Sequence, residues 1–111
     1  MNHSILIVDD EATQRSALAG FLKKKNYQIK QAETGKEALK IVENQAIDLV
    51  LTDLRMPGME GSELLQRIKQ KNPQIEVIVM TAYGSIEQAT AAMKNGAADF
   101  VTKPIDLEQL E

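Results

Sequence analysis

The chain has 111 residues, a length that fits one domain around a single core. It is 43% apolar and 26% charged, a composition far from the disordered and fibrous classes. A net charge of −3 argues against a nucleic-acid footprint on this segment, and the absence of cysteine excludes disulfides, thiolate catalysis and cysteine metal sites.

Residues 1–8 lack a basic n-region and a signal-length apolar run, and no stretch approaches a transmembrane span. No repeat, linker or low-complexity tract interrupts the chain. Ile5 to Val8 is a short apolar run of strand length, followed by a helix whose face is marked by Leu18, Phe21 and Leu22 and which runs to Lys25. Lys23, Lys24 and Lys25 complement the dipole at that helix end and read as a solvated terminus. Tyr27 to Ala32 alternates apolar with polar, as an edge strand does. Thr34-Gly35-Lys36-Glu37 is a capping box that opens a second helix with Ala38, Ile41 and Val42 inward. Leu49 to Leu51 is a second fully apolar strand. Met56-Pro57-Gly58-Met59 fits a type II turn, and Leu64, Leu65 and Ile68 mark a third helix that ends before Pro73. Val77 to Met80 is a third apolar strand. Ser85-Ile86-Glu87-Gln88 caps a fourth helix with Ile86, Ala89 and Met93 inward, Gly96 stands where a helix C′ glycine belongs, and Asp99 to Thr102 is a last short strand.

Strands alternating with helices specify parallel βαβ units. The three apolar strands belong inside the sheet and the two weaker ones at its edges. Right-handed crossovers then give an α/β, flavodoxin-like, doubly wound five-stranded parallel sheet of order 2-1-3-4-5, with helices on both faces and its switch point between the first and third strands.

Ligands bind such sheets at the carboxyl ends of the strands beside the switch point. There this sequence delivers Asp9-Asp10-Glu11, then Asp53, Thr81 and Thr102-Lys103-Pro104. Each has an ordinary structural reading: helix-start carboxylates, a turn residue, a loop cap, a surface lysine. Their placement on one edge favours a site. Two carboxylates about 4 Å apart repel by roughly 4 kcal/mol at an effective dielectric near 20, so the cluster needs a cation or a proton. Lys103 supplies one charge. Mg²⁺ suits the remaining excess, since the donors are oxygens, cysteine is absent and the single histidine, His3, reads as an exposed terminal residue. Metal, lysine and hydroxyl beside a carboxylate are the parts for phosphoryl transfer onto it, with Asp53, expected in a loop, as the nucleophile.

In order and spacing these blocks resemble the receiver domain of two-component response regulators, CheY-like. The resemblance rests on Val8-Asp9-Asp10-Glu11, the stretch from Leu51 to Met59, Met80-Thr81-Ala82 and Phe100-Val101-Thr102-Lys103-Pro104. The wording of residues 80–85 is most like the NtrC-type, sigma-54-dependent transcription activators. The resemblance implies that Asp53 accepts phosphoryl from a sensor histidine kinase, that Asp9, Asp10, Asp53 and the Arg55 carbonyl hold Mg²⁺, and that Thr81 and Lys103 hold phosphoryl oxygens. It further implies Phe100 as the switching aromatic, a cis Lys103-Pro104 bond, a cytoplasmic setting and a self-modifying regulatory domain in place of an enzyme. Output domains of ATPase and DNA-binding type and a homodimer are the implied partners. The fourth helix, with little large apolar surface to anchor it, is expected to move with the switch.

The sequence departs from the best-known pattern at Phe100, which has no hydroxyl, and at Arg55 and Tyr83, positions that the family it resembles uses to tune acyl-phosphate hydrolysis. Residues 1–111 are expected to be one receiver domain at the front of a longer regulator, cut within a truncated fifth helix that begins with Leu107 and Leu110. The main alternative is a pseudo-receiver, the same fold used as an interaction module without phosphorylation. A flavin carrier is disfavoured by the phosphate-repelling Asp9-Asp10-Glu11, and a metal-dependent phosphatase by Arg55, which stands where a second acid is needed. A Walker loop at Gly35-Lys36 is disfavoured by Lys30 and Glu37.

Overall fold

The structure, a computed structural model, describes residues 3–54, 58–81 and 86–102. Five parallel strands and four helices alternate: β1 (Ser4–Val8), α1 (Ala12–Lys23), β2 (Gln28–Ala32), α2 (Gly35–Asn44), β3 (Leu49–Asp53), α3 (Gly61–Lys71), β4 (Glu76–Thr81), α4 (Ile86–Lys94) and β5 (Asp99–Thr102). The sheet order is β2-β1-β3-β4-β5, the one expected, with the apolar strands inside. The apolar runs Ile5 to Val8, Leu49 to Leu51 and Val77 to Met80 lie in the three internal strands, as a flavodoxin-like sheet buried at its centre requires.

Alternation along the strands divides the core. Leu6, Val8, Val50, Val77 and Val79 pack with Ala38 and Leu39 of α2, Leu64, Leu65 and Ile68 of α3, and Ala92 of α4. Ile5, Ile7, Leu51 and Met80 pack on the other face with Leu18, Ala19 and Leu22 of α1. On that second face Tyr27, Leu49, Ile78 and Val101 are only partly buried.

Local signals act where the sequence places them. Thr34 Oγ1 accepts a hydrogen bond from Glu37 N–H at 3.1 Å and so caps α2. Gly58 (φ 86°) and Gly96 (φ 102°) occupy left-handed backbone, the first in the turn after β3 and the second just beyond α4. Lys71 of α3 pairs with Glu43 of α2, and Lys69 Nζ donates to the Ile75 carbonyl at 2.7 Å, tying α3 to the start of β4.

Three expectations are corrected. Asp53 is the last residue of β3, not a loop residue, because polar Thr52 is fully buried and continues the strand past Leu51. Met93 is 49% exposed, so it does not face inward; the buried residue of that turn is Ala92, which joins the core cluster that holds Val77 and Val79. The first helix ends at Lys23, two residues short of Lys25, with a turn through Asn26 at φ 70° leading to β2. The side chains of Ile86 and Ala89, the Ser85 cap, and the fifth-helix residues Leu107 and Leu110 lie outside what is described. Among the described residues no helix is long and apolar enough to cross a membrane.

Candidate metal centre at the carboxyl edge of the sheet

β1 and β3 are neighbours with Val8 paired to Thr52, so Asp9 and Asp53 stand at equivalent positions one residue further on. This is the switch point: from β1 the chain crosses outward to β2, while β3 leads the other way to β4. Asp9, Asp10 and Asp53 each offer a carboxylate oxygen, and these oxygens lie within 4.8 Å of one another. At that separation each pair repels by about 3.5 kcal/mol at an effective dielectric near 20. Asp9 and Asp53 are buried, and Asp10 is exposed at the rim.

The acidic loop is held by its backbone. Asp9 N–H donates to the Ala32 carbonyl at 3.1 Å, which extends the β1–β2 ladder by one residue. Asp9 Oδ1 accepts from Glu11 N–H at 2.9 Å, a local turn that starts α1. Arg15 Nη1 donates to the Asp9 carbonyl at 2.7 Å. On the other side, Leu54 N–H donates to the Met80 carbonyl at 2.7 Å, locking the end of β3 to β4. Thr52 Oγ1 donates to the Asp53 carbonyl at 3.0 Å.

Thr81, the last residue of β4, is buried and follows Met80, the register partner of Asp53. Phe100 in β5 pairs with Val79 and is partly buried against the α2, α3 and α4 side of the core. The structure thus brings Asp9, Asp10 and Asp53 into one cluster, with Thr81 ending the adjacent strand and Phe100 one strand beyond. Arg55, Tyr83, Lys103 and Pro104 lie outside the described residues. His3 is exposed at the opposite edge, 3.8 Å from Asp48, remote from the cluster as expected.

Two residues at this edge were not singled out from the sequence. Gly61 opens α3 against the end of β3: its N–H donates to the Leu54 carbonyl at 2.8 Å, and a Cβ there would lie 2.3 Å from the Asp53 carbonyl oxygen. Arg15 is a cation in the first turns of α1, where the helix dipole disfavours one, and that mismatch is the only signal the sequence carries for it.

The donor set is three carboxyl groups, all oxygen, which fits a hard divalent cation such as Mg²⁺ and fits softer metals poorly.

Comparison with known proteins agrees with this geometry. Residues 5–111 match the model of the response regulator receiver domain. The transcriptional regulatory protein ZraR of Escherichia coli K12 is 43% identical over 110 residues, 99% of this chain and 25% of its own length. A CheY-like receiver domain from Methanospirillum hungatei superposes with a TM-score of 0.94 at 32% identity, over 99% of this chain and 88% of that one. NtrX from Brucella abortus gives a TM-score of 0.91 at 34% identity, over 99% of this chain and 25% of its own. This chain spans about a quarter of the length of ZraR and of NtrX. The similarity to ZraR and NtrX agrees with the NtrC-type resemblance of residues 80–85.

Proposed function

The chain belongs to the receiver-domain family of two-component response regulators, and from that premise we propose that it is a phosphorylation-operated switch whose acceptor is Asp53. The observation that carries the proposal is the convergence of Asp9, Asp10 and Asp53 at the switch point of the sheet.

In the proposed reaction a carboxylate oxygen of Asp53 attacks the phosphorus of a phosphohistidine on a sensor kinase. An O–P bond forms, the P–N bond breaks, and the imidazole leaves with the electron pair of that bond. The acyl phosphate remains on Asp53. Asp9, Asp10, Asp53 and the Arg55 carbonyl are the residues that would hold Mg²⁺. When bound, the cation neutralises charge on the transferring oxygens. Lys103 contributes a second positive charge, and the Thr81 hydroxyl donates a hydrogen bond to a phosphoryl oxygen.

Phosphorylation replaces the single charge of the Asp53 carboxylate with a phosphoryl group of about two negative charges, a net gain of about one, and brings three strong acceptor oxygens to one buried strand end. Drawing Thr81 towards them leaves space beside β4 that the ring of Phe100 enters. Phe100 has no hydroxyl, so its response is one of packing alone. The fourth helix carries the change outward. Among its described side chains only Ala92 is buried, while Thr90, Ala91 and Met93 are exposed, so little apolar area opposes its displacement. An output domain in a longer regulator, of ATPase or DNA-binding type, is the receiver of that signal, and a cytoplasmic homodimer is the working form.

The test is incubation with acetyl phosphate and Mg²⁺, followed by intact mass spectrometry. One phosphoryl adduct per chain is expected, and it should vanish when EDTA is present. Absence of an adduct under conditions that label other receivers would support the unphosphorylated interaction module instead.

A further inference from the structure

The guanidinium of Arg15 makes three polar contacts beside the acidic cluster, yet it belongs to none of the groups assigned to the phosphoryl site above. It projects back from α1 towards the helix N-terminus, as helical side chains do, and its side chain is 12% exposed. Nη1 donates to the Asp9 carbonyl at 2.7 Å, and Nε donates to Gln31 Oε1 at 3.2 Å. Nη2 lies 3.8 Å from Glu33 Oε1. One planar fork therefore joins three pieces: the first turns of α1, the peptide that carries Asp9, and the β2 end of the sheet.

A peptide oxygen so close to an acidic cluster has a definite geometric consequence. Two successive peptides are held: the one entering Asp9 by its N–H on Ala32, and the one leaving it by its carbonyl on Arg15. The carbonyl it fixes is that of the bond leading into Asp10, so the directions of both carboxylates depend on the orientation of this one peptide plane. Charge-assisted bonds from a cationic side chain are among the stronger orienting contacts available, and the one to the Asp9 carbonyl is the contact that holds this plane.

We propose that Arg15 is a positioning residue for a divalent cation, setting Asp9 and Asp10 at the spacing that the cation requires. This rests on the reading of the Asp9, Asp10 and Asp53 cluster as a metal centre.

The sign of the effect separates positioning from charge. Arg15 is a cation beside an anionic site, so if its charge were all that mattered, removing it would strengthen binding of another cation. If it positions the loop, removing it weakens binding, by about 10-fold or more, as loss of an outer contact to metal ligands does.

The experiment uses Mn²⁺ as the probe, with free ion counted by electron paramagnetic resonance and Mg²⁺ added as competitor. The wild-type chain, Asp53→Asn, Arg15→Gln, Arg15→Lys and Gln31→Ala are compared, each checked for cooperative unfolding in urea. Arg15→Gln is expected to bind Mn²⁺ about 10-fold more weakly. Arg15→Lys, which can still donate to the Asp9 carbonyl, recovers most of that loss, and Gln31→Ala, which leaves the Arg15 to Asp9 bond intact, changes little.

A second measurement needs no variant. Because coupling is reciprocal, Mg²⁺ must act back on the contact, so the Nη–H resonances of Arg15 shift with the same midpoint as the backbone amide of Asp53, while those of Arg67, in its pair with Glu63, stay put. Wild-type protein that binds no Mn²⁺ overturns the metal reading and the inference with it. Wild-type binding with equal or tighter binding in folded Arg15→Gln, or Arg15 Nη–H resonances that ignore Mg²⁺, overturns the inference alone.

Discussion

Replacing Gly61 with alanine sets two effects of opposite sign against each other. Gly61 is the first residue of α3, where helix propensity alone makes alanine better than glycine by up to about 1 kcal/mol. Against this stands the end of β3. The new Cβ would lie 2.3 Å from the Asp53 carbonyl oxygen and 2.8 Å from Leu54 Cα, both backbone atoms that cannot swing aside. Restoring ordinary contact requires α3 to retreat by about 1 Å. Such overpacking costs roughly 1–3 kcal/mol. The retreat also stretches the 2.8 Å bond from Gly61 N–H to the Leu54 carbonyl, worth about 1 kcal/mol. The net expectation is a loss of about 1–3 kcal/mol, the packing terms outweighing propensity. Urea unfolding at equilibrium measures it, with a thermal midpoint falling by roughly 5–15 °C as the parallel readout. Gly20→Ala is the control: Gly20 lies within α1 with nothing within 4 Å of its Cβ position, so propensity acts alone and stability rises by about 0.5–1 kcal/mol. Gly61→Ala as stable as the wild type, or more so, would refute the reasoning that β3 and α3 touch here through backbone.

Other substitutions test separate contacts. Thr34→Ala removes the acceptor for Glu37 N–H and should lower stability by about 1 kcal/mol in the same urea assay; an unchanged midpoint would mean that the cap contributes nothing. Ala92→Leu inserts three carbons where α4 meets the sheet and should cost about 1–3 kcal/mol. Met93→Ser, on the exposed side of the same turn, should stay within about 0.5 kcal/mol of wild type, and the reverse ranking would restore Met93 as the inward residue.

Much of this fold is legible in the sequence because a doubly covered parallel sheet writes itself as apolar runs. Ile5 to Val8, Leu49 to Leu51 and Val77 to Met80 all fall within internal strands, and from those three the strand order follows. The end of β3 is less legible. Thr52 is polar yet fully buried, so a reading that follows apolar runs stops at Leu51 and leaves Asp53 in a loop. Placing Asp53 at the strand end makes it part of the hydrogen-bonded sheet, a firmer mount than a loop. Met93 misleads for a different reason: side-chain size suggests burial, whereas the side of α4 that enters the core carries the small Ala92.

The acidic cluster was readable because its members sit at strand ends and the topology does the rest. Gly61 and Arg15 were not, since what matters about each is a main-chain carbonyl brought near by folding: that of Asp53 for Gly61, and that of Asp9 for Arg15. No spacing pattern encodes a contact to a peptide oxygen several residues away in a different element.

The account turns on Asp53 as the phosphoryl acceptor. The most direct measurement labels the wild-type chain and Asp53→Asn with acetyl phosphate and Mg²⁺, reduces any acyl phosphate with borohydride, and maps the resulting homoserine by peptide mass spectrometry. The account predicts homoserine at position 53 in the wild type and none in Asp53→Asn. Homoserine at position 9 or 10, or an adduct that persists undiminished in Asp53→Asn, would contradict it.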